Sequence, residues 1–186
     1  MKLSKDQMSN ILWILAIVLI VFTPLGFHVK VLVGKIFATS AAIVEGDKQK
    51  NLEDYDWQLV DLNGDGIDFE TNRGEVVLIN FWATWCPPCV AELPSLEKLH
   101  DDYGDRVKFA FVTNEQPEKV SPFLQKKKSK IPVYFEVSST PDELFYRSIP
   151  ATYIISKSGK IVVDERGAAN WNSERTRNLL DKLLAE

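Results

Sequence analysis

Val76-Val77-Leu78-Ile79-Asn80-Phe81 is an almost unbroken apolar run, and five residues past its end come the chain's only two cysteines, in Trp85-Cys86-Pro87-Pro88-Cys89. A run of that kind reads as a strand buried on both faces. Beyond the cysteines, Val90, Leu93, Leu96 and Leu99 recur at helical spacing from Pro87 to Tyr103. Two thiols three residues apart can close a disulfide with each other, and no third cysteine competes for either. A Cys-x-x-Cys that opens a helix has its first thiol lowered from a pKa of about 8.5 into the range of about 3.5–7.5. The cause is the unpaired N–H groups and macrodipole of the helix N-terminus, which favour negative charge. The pair reads as a thiol–disulfide exchange site.

Two blander uses of the pair fit less well. A zinc site takes about four ligands. Only His28 and His100 could join the thiols, one beside the apolar N-terminal segment and one far along the helix, so no metal is expected. A structural crosslink closing so short a loop would remove little entropy from the unfolded chain.

Pattern elsewhere supplies the partners that a buried strand requires. Trp57–Asp61 and Ile67–Glu70 flank Asn63-Gly64, a hairpin turn signal. Val107–Thr113 is a second buried strand, Pro117–Lys128 a helix with proline in its first turn, and Ile131–Glu136 a short strand. Pro141–Tyr146 reads as a short helix. Ala151–Ser156 and Ile161–Arg166 pair across Lys157-Ser158-Gly159-Lys160, and Ser173 caps a last helix to Ala185. The order β-β-β-α-β-α-β-α-β-β-α predicts an α/β fold: a sheet mixing parallel and antiparallel strands, flanked by helices.

The N-terminal third is different in kind. Ile11–Phe27 carries no charge, and its 17 residues would reach roughly 25 Å as a helix, near the lower edge of a membrane span. No polar face interrupts it, so a membrane anchor is favoured over a buried core helix, and Ser40-Ala41-Ala42 lies too far on for a well-placed cleavage site. Lys2 and Lys5 before the run balance Lys30 and Lys35 after it, leaving orientation uncoded by charge. Gly46–Asp56 is polar and reads as a tether.

From Gly46 onward 24 acidic residues outnumber 18 basic ones, which argues against nucleic acid as a partner. Lys126-Lys127-Lys128 fits a solvated helix end. Asp61-Leu62-Asn63-Gly64-Asp65-Gly66 imitates a calcium loop, but Asn72 stands where the bidentate Glu belongs, so a plain turn is expected.

Taken together, Phe81-Trp82-Ala83-Thr84-Trp85-Cys86-Pro87-Pro88-Cys89, Glu92-Leu93-Pro94 and Ile149-Pro150 resemble a thioredoxin-fold protein. The preceding hairpin and apolar N-terminus make the chain similar to the TlpA/ResA-like branch. That resemblance implies a thioredoxin-like fold with an added N-terminal β-hairpin, preceded by one transmembrane helix. The corresponding division is a flank over residues 1–10, an anchor over 11–27, a juxtamembrane segment and tether over 28–56, and the thioredoxin-like domain over 57–186. It implies location in the bacterial inner membrane, single-pass, with the domain on the extracytoplasmic side. It implies protein disulfide or dithiol clients, a membrane electron donor of the disulfide-reductase type and no cofactor; several members of the branch serve cytochrome c maturation.

Carried over by position, Cys86 would be the exposed attacking thiolate and Cys89 the buried resolving thiol, since a mixed disulfide must be broken by a nearby second thiol. Pro150 would be a cis-proline facing the pair. Ile149 would offer backbone groups to a client, with Trp85, Pro87 and Pro88 beside it. Asn80 departs from the buried Asp that many thioredoxins carry there. Glu92 would be a desolvated carboxyl able to accept the Cys89 proton. Trp57, Trp82, Trp171, Phe145 and Tyr146 are read as packing residues. Net reduction is the favoured direction. A disulfide oxidant or peroxide-reducing member of the same fold, or a non-catalytic copper- or client-binding module, are the competing readings.

Overall fold

Burial of both faces of one central strand organises the molecule. The computed structural model describes residues 4–186. Among them, β1 (Gln58–Asp61), β2 (Gly66–Asp68), β3 (Val77–Phe81), β4 (Lys108–Thr113), β5 (Val133–Glu136), β6 (Ala151–Ile155) and β7 (Ile161–Arg166) form one sheet in the order β2-β1-β5-β4-β3-β6-β7. Every residue of β3 is buried. It runs parallel to β4 and antiparallel to β6, so the sheet is mixed as its element order predicts. At the β1–β2 turn, Gly64 takes a φ of 85° and the Asp61 carboxylate accepts the N–H groups of Asn63 and Asp65, which makes the calcium-like stretch a plain turn.

Strand periodicity sends alternate residues of β3 into two cores. Val76, Leu78 and Trp82 join the core beneath α3 (Pro87–Tyr103), α4 (Pro117–Lys127) and α5 (Glu174–Leu184), with Leu96, Leu99, Val120, Leu124, Leu180 and Leu183. Val77, Ile79 and Phe81 enter the opposite core, with Trp57, Leu59, Phe69, Leu144 and Tyr153. The long helices of the domain therefore share one face. Short 3-10 turns, Phe69–Asn72 and Asp142–Leu144, help close the other; the helix expected over Pro141–Tyr146 is only that second turn.

The stretch read as a tether closes the same core. Leu52 and Tyr55 are buried there. Lys50 O accepts from Ile161 N at 2.8 Å, and Leu52 N donates to Gly159 O at 2.8 Å. Polar composition concealed two apolar side chains at the spacing needed to reach the sheet. Upstream, Val44 N donates to Val162 O and Asn170 N to Thr39 O, so this segment follows β7 as well.

Residues 11–27, expected as one span, do not form one helix. α1 (Lys5–Phe22) and α2 (Pro24–Phe37) meet at Thr23, whose backbone is extended. Proline at the first position of α2 lacks an N–H to continue α1, and the residue before a proline is disfavoured from helical geometry. Among the described residues no helix is long and apolar enough to cross a membrane. Yet Leu12, Trp13, Ile14 and Ile17 of α1 are exposed, and α2 packs against α3.

Candidate active site

Strand β3 ends where its paired neighbours are fixed, and the chain then turns tightly into α3. Trp82 N donates to Val112 O and Cys86 N to Ala83 O, while Thr84 is gripped by Glu115 from the β4–α4 connection. Glu115 Oε2 accepts from Thr84 N at 2.5 Å, and Oε1 accepts from Thr84 Oγ1 at 2.8 Å. This loop presents Trp85, 65% exposed, and delivers Cys86 to the N-cap of α3.

Cys86 and Cys89 form a disulfide with Cα atoms 5.3 Å apart. Pro87 occupies the first helical turn, where its missing N–H costs nothing, and Pro88 follows it half-buried. Cys89 N points at Cys86 Sγ at 3.3 Å. The same N–H would stabilise a Cys86 thiolate once the bond is reduced. Cys86, expected to be exposed, is 3% exposed, against 2% for Cys89. Its sulfur is turned into the first turn of α3, and the carbonyl oxygen of Ile149 lies 3.8 Å from it. The Ile149–Pro150 bond is cis, and Gly167 N donates to Pro150 O at 2.9 Å. Six of the residues singled out from sequence, Trp85, Cys86, Pro87, Pro88, Cys89 and Ile149, thus meet at one end of the sheet beside Pro150.

Behind the disulfide is a buried polar network. Asn80 pairs with Thr152 across β3 and β6, on the face that α3 covers. Its amide nitrogen donates to Glu92 Oε1 at 2.9 Å and to Thr152 Oγ1 at 2.7 Å. Glu92 Oε2 accepts from Trp171 Nε1 at 2.8 Å and from Ala169 N at 3.1 Å. Glu92 is 1% exposed, and burial pushes its carboxyl up to about 7. The three donors oppose that rise by favouring the charged form, and the charge of Glu165 adds slightly to it. A carboxyl poised near neutrality, one helical turn from Cys89, can take up or give back a proton.

Three contributors to the site were invisible in the sequence. Trp171, read as packing, is fully buried but spends its N–H on Glu92. Thr152 completes the Asn80 amide, and Glu115 clamps the loop from 31 residues away. No local spacing announces any of them. Trp57 and Trp82 are core residues; Phe145, also read as packing, is 63% exposed.

A mixed sheet with a Cys-x-x-Cys disulfide capping its central crossing helix, opposite a cis-proline, defines a thioredoxin-like protein. Residues 51–163 match the AhpC/TSA family, and the chain belongs to it. It is 34% identical over 110 residues to the thioredoxin-like protein YneN of Bacillus subtilis (strain 168), covering 57% of this chain and 65% of that one. It is also 34% identical over 107 residues to the thiol-disulfide oxidoreductase ResA of Halalkalibacterium halodurans, covering 56% of this chain and 61% of that one. The match thus spans somewhat less than two thirds of these relatives' length. The fold is shared with a thiol:disulfide interchange protein of the thioredoxin family from Chlorobium tepidum TLS, at 21% identity and a TM-score of 0.55, covering 78% of this chain and 97% of that one.

Proposed function

We propose that this chain is a membrane-tethered thiol–disulfide oxidoreductase that reduces disulfides in client proteins outside the cytoplasm. The observation that carries the chemistry is the disulfide at the N-cap of α3 with a near-neutral carboxyl buried behind it. In the reduced protein the Cys86 thiolate attacks one client sulfur, the client S–S bond breaks, and the other client sulfur leaves as a thiolate. Cys89 gives its proton to Glu92 and attacks Cys86 Sγ. The bond between Cys86 and the client sulfur breaks as the Cys86–Cys89 disulfide forms, and the second client sulfur leaves as a thiolate; one proton returned by Glu92 and one from water make the client a dithiol, two electrons richer. A dithiol donor at the membrane then regenerates the enzyme; the names of the ResA relatives, thiol-disulfide oxidoreductases, support the exchange chemistry itself. Clients in cytochrome c maturation are the class that the family resemblance favours.

Membrane attachment is supported by the exposed apolar side chains of α1, which water would disfavour on a free surface. Extracytoplasmic placement follows from use: a reductase of protein disulfides acts where such disulfides persist. The peroxide-reducing reading loses ground at Thr84, whose hydroxyl is committed to Glu115. Insulin reduction by the full chain, with dithiol donor supplied, tests the activity. A fusion after Glu186 to a reporter active only in the cytoplasm tests the side. Turnover abolished in Cys86→Ser and a silent reporter are the expected results; turnover that survives the substitution, or a bright reporter, would overturn the respective half.

A further inference from the structure

α2 has two apolar faces, and the domain covers only one. On the covered side, a Cβ added to Gly34 would lie 3.0 Å from Ala91 Cβ, with Pro88 Cα at 4.0 Å, so α2 rests on the first turns of α3. On the opposite side Val29, Leu32, Val33 and Ile36 are 39%, 59%, 47% and 68% exposed. Their i, i+3, i+4, i+7 spacing makes one continuous stripe, where a surface helix in water would turn polar residues outward. At about 100° per residue, Lys30 and Lys35 flank the stripe on either side, each roughly 110° from its centre, between it and the face laid on α3. α2 contains no Asp or Glu. The stripe is joined through Thr23 alone to α1, with its own exposed apolar side chains.

An apolar stripe flanked by cations and free of acids fits one partner, a lipid surface with anionic headgroups. A second copy of this chain fits poorly, because two such stripes meeting would gather four lysines with no carboxylate of α2 to answer them. We propose that α2 lies along the surface of an anionic bilayer, with Val29, Leu32, Val33 and Ile36 in the acyl boundary and Lys30 and Lys35 at the phosphates. This rests on the membrane-tether reading above and adds where the catalytic end sits. Packed helices lie about 8–10 Å apart, so α2 holds the Cys86 end of α3 within about one helix diameter of the headgroups. The clients it can serve are then proteins that carry their disulfide close to the membrane surface.

The test uses the full chain with Cys86→Ser and Cys89→Ser, so that one new cysteine can carry an environment-sensitive fluorophore, at Ile36→Cys or, as control, at Asp65→Cys in the β1–β2 turn. Each is mixed with vesicles of phosphatidylcholine and phosphatidylglycerol that contain a nitroxide-labelled lipid. Flotation with the vesicles reports the tether, and quenching reports the position of α2. The expected result is flotation of both proteins, several-fold quenching at position 36, little at position 65, and weaker quenching on phosphatidylcholine alone. Flotation without quenching at 36 would overturn the placement of α2 while leaving the tether intact. A blue-shifted but unquenched probe on a dimeric chain would assign the stripe to a second copy. Equal quenching on neutral vesicles would remove the anionic requirement, and absence of flotation would overturn the tether and this placement together.

Discussion

Two carboxylates serve the same short loop and helix start, and their surroundings give them different work. Glu92 is enclosed by Asn80, Ala169 and Trp171 and lifted to about 7 by burial. Glu115 stands half-buried at the rim and uses both oxygens on Thr84, one on its N–H and one on its hydroxyl. The buried group, desolvated and near neutrality, is suited to carrying a proton. The rim group is suited to holding geometry. The difference teaches that a carboxylate's part in thiol exchange is decided by how much water and how many donors it keeps, not by its closeness in sequence to the cysteines.

The largest effect should come from removing the chemistry that both carboxylates serve. Cys86→Ser should abolish client reduction, whereas Cys89→Ser should still attack and accumulate a mixed disulfide through Cys86, visible as a client-sized shift on non-reducing gels. A trap formed by Cys86→Ser instead would reverse the roles.

Next in size is Glu92→Gln, which keeps the shape but cannot relay a proton. Client reduction near neutral pH should slow by about 10- to 100-fold, and the limb of the pH–rate profile near 7 should disappear. Neighbouring thiols should titrate lower, because a nearby anion disfavours thiolate. The same residue links stability to pH. Its folded pKa, about 7, lies above the ordinary 4.5, so between those values the folded state binds the extra proton. Stability of the disulfide form should therefore fall as pH rises through that window, by on the order of 3 kcal/mol at about 1.4 kcal/mol per unit. Chemical denaturation at pH 5 and pH 8 should show this fall in the native protein and lose it in Glu92→Gln. An equal fall in both would assign it to other groups.

What the sequence disclosed and what it concealed divide along the same line. The strand Val77–Phe81, the cysteine pair, the Asn63-Gly64 turn and the hairpin around Gly159 depend on neighbours in sequence, and all are legible there. So was the suspicion that Glu92 is buried, through a resemblance rather than from spacing alone. Partners that only the fold brings together were not legible: Trp171 lies 79 residues from Glu92, and Glu115 lies 31 from Thr84. Leu52 and Tyr55 were hidden by charged neighbours, although two apolar side chains suffice to lay a segment on a sheet edge. Pro24, inside the uncharged run read as one span, is where the helix breaks, because proline has no N–H with which to continue α1.

Trp171→Phe should have a smaller, directional effect. It keeps most of the buried ring but deletes the N–H that favours ionised Glu92. The neutral-pH midpoint of client reduction should move upward, with the maximal rate nearly retained. A downward shift would mean that this hydrogen bond does not act on the charged form.

The smallest expected effect, and the sharpest probe of the comparison, is Thr84→Val. Valine keeps the β-branched shape but cannot donate to Glu115 Oε1, while the backbone N–H still reaches Oε2. Because Glu115 is only half-buried, water can take the lost place, so the cost should be about 1 kcal/mol, as for a single hydrogen bond. Loosening the loop that presents Trp85 and Cys86 should raise KM for insulin, with little change toward a small disulfide that needs no docking surface. The pH midpoint set by Glu92 should stay where it is, since Thr84 hydrogen-bonds to Glu115 and not to Glu92, Asn80 or Trp171. A midpoint that moved as far as in Trp171→Phe would show that rim and interior act as one unit, and the separation of clamp from proton carrier would fail.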